Sequence, residues 1–161
     1  MFEEHDVRFT PGLNMLEDMS VLYKLLFFAK KLVCLPEALY FYNRTNQNAY
    51  SSIRINRQYE DGYLMLLCQM AAFREQQHIS DPALTEAFRF FKARIMASML
   101  LYGHKELIRT HKDLFREVGL REFMTCPNFP PHFKAVGAAY ALKMGWGVSL
   151  LRALARKVLR E

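Results

Sequence analysis

Glu17 and Asp18 are adjacent carboxylates placed where a helix should begin. A carboxylate held within hydrogen-bond reach of a hydroxyl can take its proton as that oxygen attacks an electrophile, so the chemistry on offer is general-base catalysis. The element that would position the pair is legible around it. Asn14 can cap the helix, since its side-chain oxygen can accept a bond from a first-turn amide, and Glu17 three residues later has capping-box spacing. Val21, Leu22, Leu25, Leu26 and Ala29 then recur at three- and four-residue steps, which predicts a helix to about Lys30. Asp18 shares the stripe of Leu22, Leu25 and Ala29, so its carboxylate is expected where a buried face meets a cleft. The helix dipole favours its charged form and burial opposes it. A plainer role is open to both acids, as first-turn carboxylates that complement the dipole.

Short β elements are expected on either side of that helix. Val7 to Thr10 reads as one strand, and Leu32 to Leu35 and Ala38 to Tyr42 as two more, parted at Pro36-Glu37. Alternation puts Leu39 and Phe41 on one face, with Tyr40, Tyr42 and Arg44 on the other. Unpaired strand edges seek another chain, which predicts a homo-oligomer joined through Val7 to Thr10 or through the Tyr-rich strand.

Four of these elements occur in the order seen in one enzyme family. Arg8-Phe9-Thr10-Pro11-Gly12, the pair Glu17-Asp18, the helix ending in Ala29-Lys30-Lys31, and Leu32 through Arg44 together resemble family 2 glycosyltransferases of the GT-A type, over about residues 1 to 52. The resemblance implies transfer of a sugar from a nucleotide-sugar donor to a saccharide or lipid-linked acceptor. It implies Asp18 as the catalytic base, Glu17 as an acceptor-binding neighbour, and Arg44 and Ser51 as substrate-binding residues on or beside the polar loop Thr45 to Ser52. Ser52 can equally cap the helix that follows. The family neutralises the leaving diphosphate with a divalent cation, Mg or Mn, held on an Asp-x-Asp motif. Asp6, Asp18, Asp61, Asp81 and Asp113 include no two that are two positions apart, so no metal site and no cofactor are expected in this chain. Only 16 residues precede the acidic pair, too few for a nucleotide-binding half. The expectation is a glycosyltransferase fragment that is inactive alone, with residues 1–52 a remnant of a GT-A α/β domain.

Residues 53–161 read as a helical C-terminal region packed as one unit with that remnant. Tyr59, Tyr63, Leu66, Met70 and Phe73 form a stripe to about His78. Asp81-Pro82 restarts a helix that Gly103 should stop. A third is expected from about Lys105 to Val118, closed by Gly119, and two more from about Phe133 to Lys143 and Val148 to Arg160. The fold class is therefore mainly α, a helical bundle-like region with a small two- to three-stranded β element near the N-terminus. His104 and His111 lack ligand spacing, and the aromatic stripes are read as core.

Composition bounds the rest. The chain has 161 residues, 52% of them hydrophobic, enough for one sizeable core. Cys34, Cys68 and Cys126 are odd in number and far apart, which argues against a disulfide framework or zinc site and for free thiols in the cytoplasm. The net charge of +6 calls for an acidic partner. Lys and Arg are mostly scattered and no finger, RNP-like motif or basic block is present, so nucleic acid is not expected. The exception is Val148 to Arg160, where Arg152, Arg156 and Arg160 recur beside Leu150, Leu151, Leu154, Val158 and Leu159, with Trp146 just before. Such a helix can lie on the inner face of a membrane, or pack on the core with a solvated basic side. The second class of function open to the chain is a helical protein-interaction module without catalysis, its acidic pair a helix cap.

Overall fold

The computed structural model describes residues 1–13, 16–41, 57–103 and 105–158. Among them are seven helices: α1 (Glu17–Phe28), α2 (Arg57–Gln76), α3 (Pro82–Tyr102), α4 (Lys105–Thr110), α5 (Leu120–Thr125), α6 (Pro131–Ala141) and α7 (Gly145–Val158). The protein is mainly helical, as its apolar periodicity requires. The expected β element is not formed among the described residues: Val7 to Thr10, Leu32 to Leu35 and residues 38–41 carry no strand. A strand exists through its ladder with a neighbour, and none of the described residues supplies one. Where the second and third strands should be parted, the Leu39 amide instead folds back on the Glu37 carbonyl at 3.1 Å, just after Pro36.

The chain divides into two compact units, residues 1–70 and 71–161. In the first, Val7, Leu13, Val21, Leu64, Leu66 and Leu67 are buried. The N-terminal turn closes through the Val7 amide on the Phe2 carbonyl at 2.9 Å, and His5 stacks on Phe28 at the end of α1, centroids 4.0 Å apart. Thr10 is tied to α2 by a hydrogen bond from its hydroxyl to Gln69 Oε1 at 3.0 Å.

In the second unit α3 is the hub, packing against α4, α5, α6 and α7. Its start is as read: Asp81 caps it by accepting the Leu84 amide at 2.9 Å, Pro82 occupies the first turn and Gly103 closes it. From Ala93 to Leu101 the helix is buried on most sides, with only Arg94 and Ser98 left on a narrow polar line. The helix expected from Lys105 to Val118 stops at Thr110. Leu114, Phe115 and Val118 then follow in tight turns, each amide bonding three residues back. Those turns bring Phe115 into the core without continuing the spiral. Gly119 ends this segment and also begins α5, whose Glu122 carboxylate accepts the Gly119 amide at 2.8 Å.

Candidate functional site

Helix α1 begins at Glu17, later than the capping-box spacing assumed. Leu16 occupies the N-cap in a left-handed conformation (φ 66°) and offers no side-chain acceptor, and Asn14 lies outside the described residues. Glu17 is therefore the first helical residue, two positions too early to reach back to a cap. Asp18 takes over part of that work, its Oδ1 accepting the Met19 amide at 2.7 Å and satisfying one of the orphan donors of the first turn. The helix is further secured by the Ser20 hydroxyl on the Glu17 carbonyl at 2.6 Å.

Both carboxylates are exposed. The face they stand on differs from the one expected, since α1 buries Ser20 and Val21 while Leu22, Leu26 and Phe27 remain exposed. Asp18 and Leu22 thus share an outward face. Among the described residues the carboxylate is neither sealed by apolar neighbours nor locked in an ion pair, and a hydroxyl could approach it. One turn away Tyr23 is half-buried, and burial pushes its phenol up to about 12, so it stays protonated through the neutral range. Arg44 and Ser51 lie outside the described residues, as does the polar loop around them. The arrangement on α1 therefore holds two of the four expected site residues together.

The chain matches no family model, no curated protein and no solved structure.

The divalent cation that the resemblance implies does not fit these residues. The sequence has no Asp-x-Asp, and among the described residues no three His, Cys, Asp or Glu side chains converge.

Two further features are of function-bearing type; the first was read from the sequence as strands with unpaired edges, the second was not read at all. One is the unit-1 run from Leu32 to Phe41, whose apolar side chains are solvent-facing, Tyr40 at 81% and Phe41 at 91% exposure. The other is an open cleft of about 550 Å³ in the second unit, between the turn at Val118–Leu120, the end of α6 and the start of α7. Val118, Leu120, Ala139 and Val148 make its lining apolar, with Lys143 its one cation. It offers no carboxylate or thiol for catalysis and suits an apolar group near a negative one.

Proposed function

We propose that residues 1–161 form the acceptor side of an inverting, nucleotide-sugar-dependent glycosyltransferase. Asp18 takes the proton of the acceptor hydroxyl as that oxygen attacks the anomeric carbon and the nucleoside diphosphate leaves. Glu17 positions the same hydroxyl. Arg44 and Ser51 approach the donor pyrophosphate and the acceptor. Donor binding and its cation belong to a nucleotide-binding half outside these residues. The acceptor is a saccharide or a lipid-linked saccharide.

The observation that supports this reading is the pairing of an accessible carboxylate on the first turn of α1 with an uncovered apolar segment in the same unit. Leu32, Val33, Leu35, Leu39, Tyr40 and Phe41 are all exposed. Contiguous exposed apolar chain marks a surface meant to be covered. In this proposal residues 32–41 become strands only on pairing with the sheet of the donor half, which accounts for their strand-like alternation and for the missing ladder. The same uncovered segment suits a second reading, a helical interaction module in which Asp18 serves only the helix start.

Joining a GT-A nucleotide-binding segment ahead of residue 1 separates the two. The glycosyltransferase reading expects nucleotide-sugar binding and sugar transfer to appear. Asp18→Asn should then reduce turnover about a hundredfold or more while leaving donor affinity in place. Transfer that is indifferent to Asp18→Asn, or no donor binding in the joined protein, rejects it.

A further inference from the structure

Between Phe123 and Arg160 the chain has six lysines and arginines and not one aspartate or glutamate, so its entire net charge of +6 resides there while the other residues balance. Up to Val158 that stretch contains the end of α5, α6 and α7. Helix α7 packs on α3 and α6, turning Gly147 and Val148 inward. Gly147 allows the close approach, since a Cβ there would meet the Ala139 Cβ at 3.3 Å. Arg152, on the same side, donates to the carbonyl of Gly103 at the end of α3, where the dipole favours a cation. It is thereby withdrawn from the basic ridge that the sequence spacing had assigned it to.

An apolar row faces outward. Trp146, Leu150 and Leu154 recur at i, i+4 and i+8 with 69%, 54% and 54% of their surfaces exposed. Leu142, also exposed, extends them to the corner between α6 and α7.

Lys143 stands at that corner in a conformation that favours glycine, with φ 58°. The Met144 amide reaches the Ala139 carbonyl at 2.8 Å and the Lys143 amide the Tyr140 carbonyl at 2.9 Å, which is the two-bond helix stop whose left-handed residue is usually glycine. A lysine here is a strained choice, and its side chain is exposed beside Leu142.

We propose that the outward side of α7 and the α6–α7 corner form a peripheral membrane-binding surface for an anionic phospholipid bilayer. Trp146, Leu142, Leu150 and Leu154 enter the headgroup and upper acyl region, and Lys143, within a stretch of sequence that carries no acid from Phe123 to Arg160, draws the surface to negative lipid. No helix among the described residues is long and apolar enough to cross a membrane, so the chain lies on the bilayer through this face. A nucleic acid would be drawn by the same charge but has no use for three exposed leucines. The inference stands independently of the sugar-transfer reading, since all its residues lie in the second unit.

Trp146 is the chain's one tryptophan and reports directly on its own surroundings. The full chain is mixed with vesicles of phosphatidylcholine alone, with vesicles that also contain phosphatidylglycerol, and with a DNA duplex. Co-sedimentation and a blue shift of tryptophan emission are expected with the phosphatidylglycerol vesicles only. Leu150→Glu combined with Leu154→Glu should weaken partition about tenfold or more with unchanged circular dichroism. Lys143→Gly should weaken it about fivefold while raising the thermal midpoint, a divergence that loss of folding cannot produce. Equal partition to both vesicle types, no partition at all, partition untouched by the paired glutamates, or tighter association with DNA each overturns the proposal.

Discussion

Gly137 of α6 presses its backbone onto the ring of Phe123 of α5, so closely that a Cβ at position 137 would overlap the ring atoms. Phe123 is fully buried and stacks on Phe129, which meets Phe133 edge-on at 5.4 Å. The ring has no direction in which to yield. Gly137→Ala should therefore destabilise the second unit by about 1–3 kcal/mol, the usual cost of overpacking. Urea unfolding measures it, and Phe123→Leu in the same chain should recover part of the loss through coupling between touching residues. Additive losses in the double variant would contradict this contact.

Helix α3 was legible to the residue because its ends are marked by local chemistry: Asp81 caps, Pro82 fits the first turn and Gly103 ends the spiral. The stretch after it was not. Leu107, Ile108, Leu114 and Phe115 have helical spacing, and turns that bond three residues back can bury Phe115 as well as a helix can. Periodicity alone does not separate the two. At α1 the ambiguity lay in a sequence with apolar residues on more than one face, so that the stripe including Asp18 and Leu22 proved to be the outer one. Strand alternation in residues 32–41 carries no information about whether a partner is present to complete the ladder. Of the site, the acidic pair was read as a helix start and is one. The withdrawal of Arg152 to Gly103 depends on how α7 meets α3, which no local pattern encodes.

Lys92 sits 3.1 Å from Glu117, and that hydrogen bond, joined by its charge and those of Arg74 and Arg89, holds the Glu117 carboxyl below the usual 4.5 against a smaller opposing effect of burial. A carboxyl whose folded value is depressed stabilises the fold above its unfolded value, and this contribution fades as pH falls through the folded value. Glu117→Gln should thus cost about half a kcal/mol near neutrality, the scale of an exposed pair, and nothing once the carboxyl is protonated in both states. Urea midpoints of the two chains should converge on acidification below 4.5. Parallel curves would show that Lys92 does not engage this acid.

The three cysteines should separate by reactivity. Cys34 and Cys68 are exposed, whereas Cys126 is buried with its sulfur 3.8 Å from the Pro127 carbonyl and 4.0 Å from that of Phe90. Burial pushes the Cys126 thiol up, only partly offset by Arg94 nearby. Since the thiolate is the reacting form, a thiol reagent at neutral pH should modify two cysteines quickly and the third only on unfolding. Mass mapping after a brief pulse identifies which. Fast labelling of Cys126 in the folded chain would mean that the Phe123 and Phe129 cluster beside it opens readily.

The uncovered run from Leu32 to Phe41 has a consequence for the isolated chain. Several large apolar side chains at high exposure, Phe41 at 91%, are costly to leave in water, and copies of the chain can relieve that cost by covering one another. Light scattering across the micromolar range should show mass rising with concentration. Leu39→Ser with Phe41→Ser should shift the chain toward monomer, because each removes apolar area from the contact while touching nothing buried. The exposed side of α7 is a second apolar surface, so Leu150→Glu with Leu154→Glu serves as the control. If association follows residues 32–41 it should survive the glutamates and yield to the serines, and joining the nucleotide-binding half should suppress it by covering the same segment. Loss of association in the α7 variant alone would move the self-contact to the second unit and leave residues 32–41 without a demonstrated need for a partner.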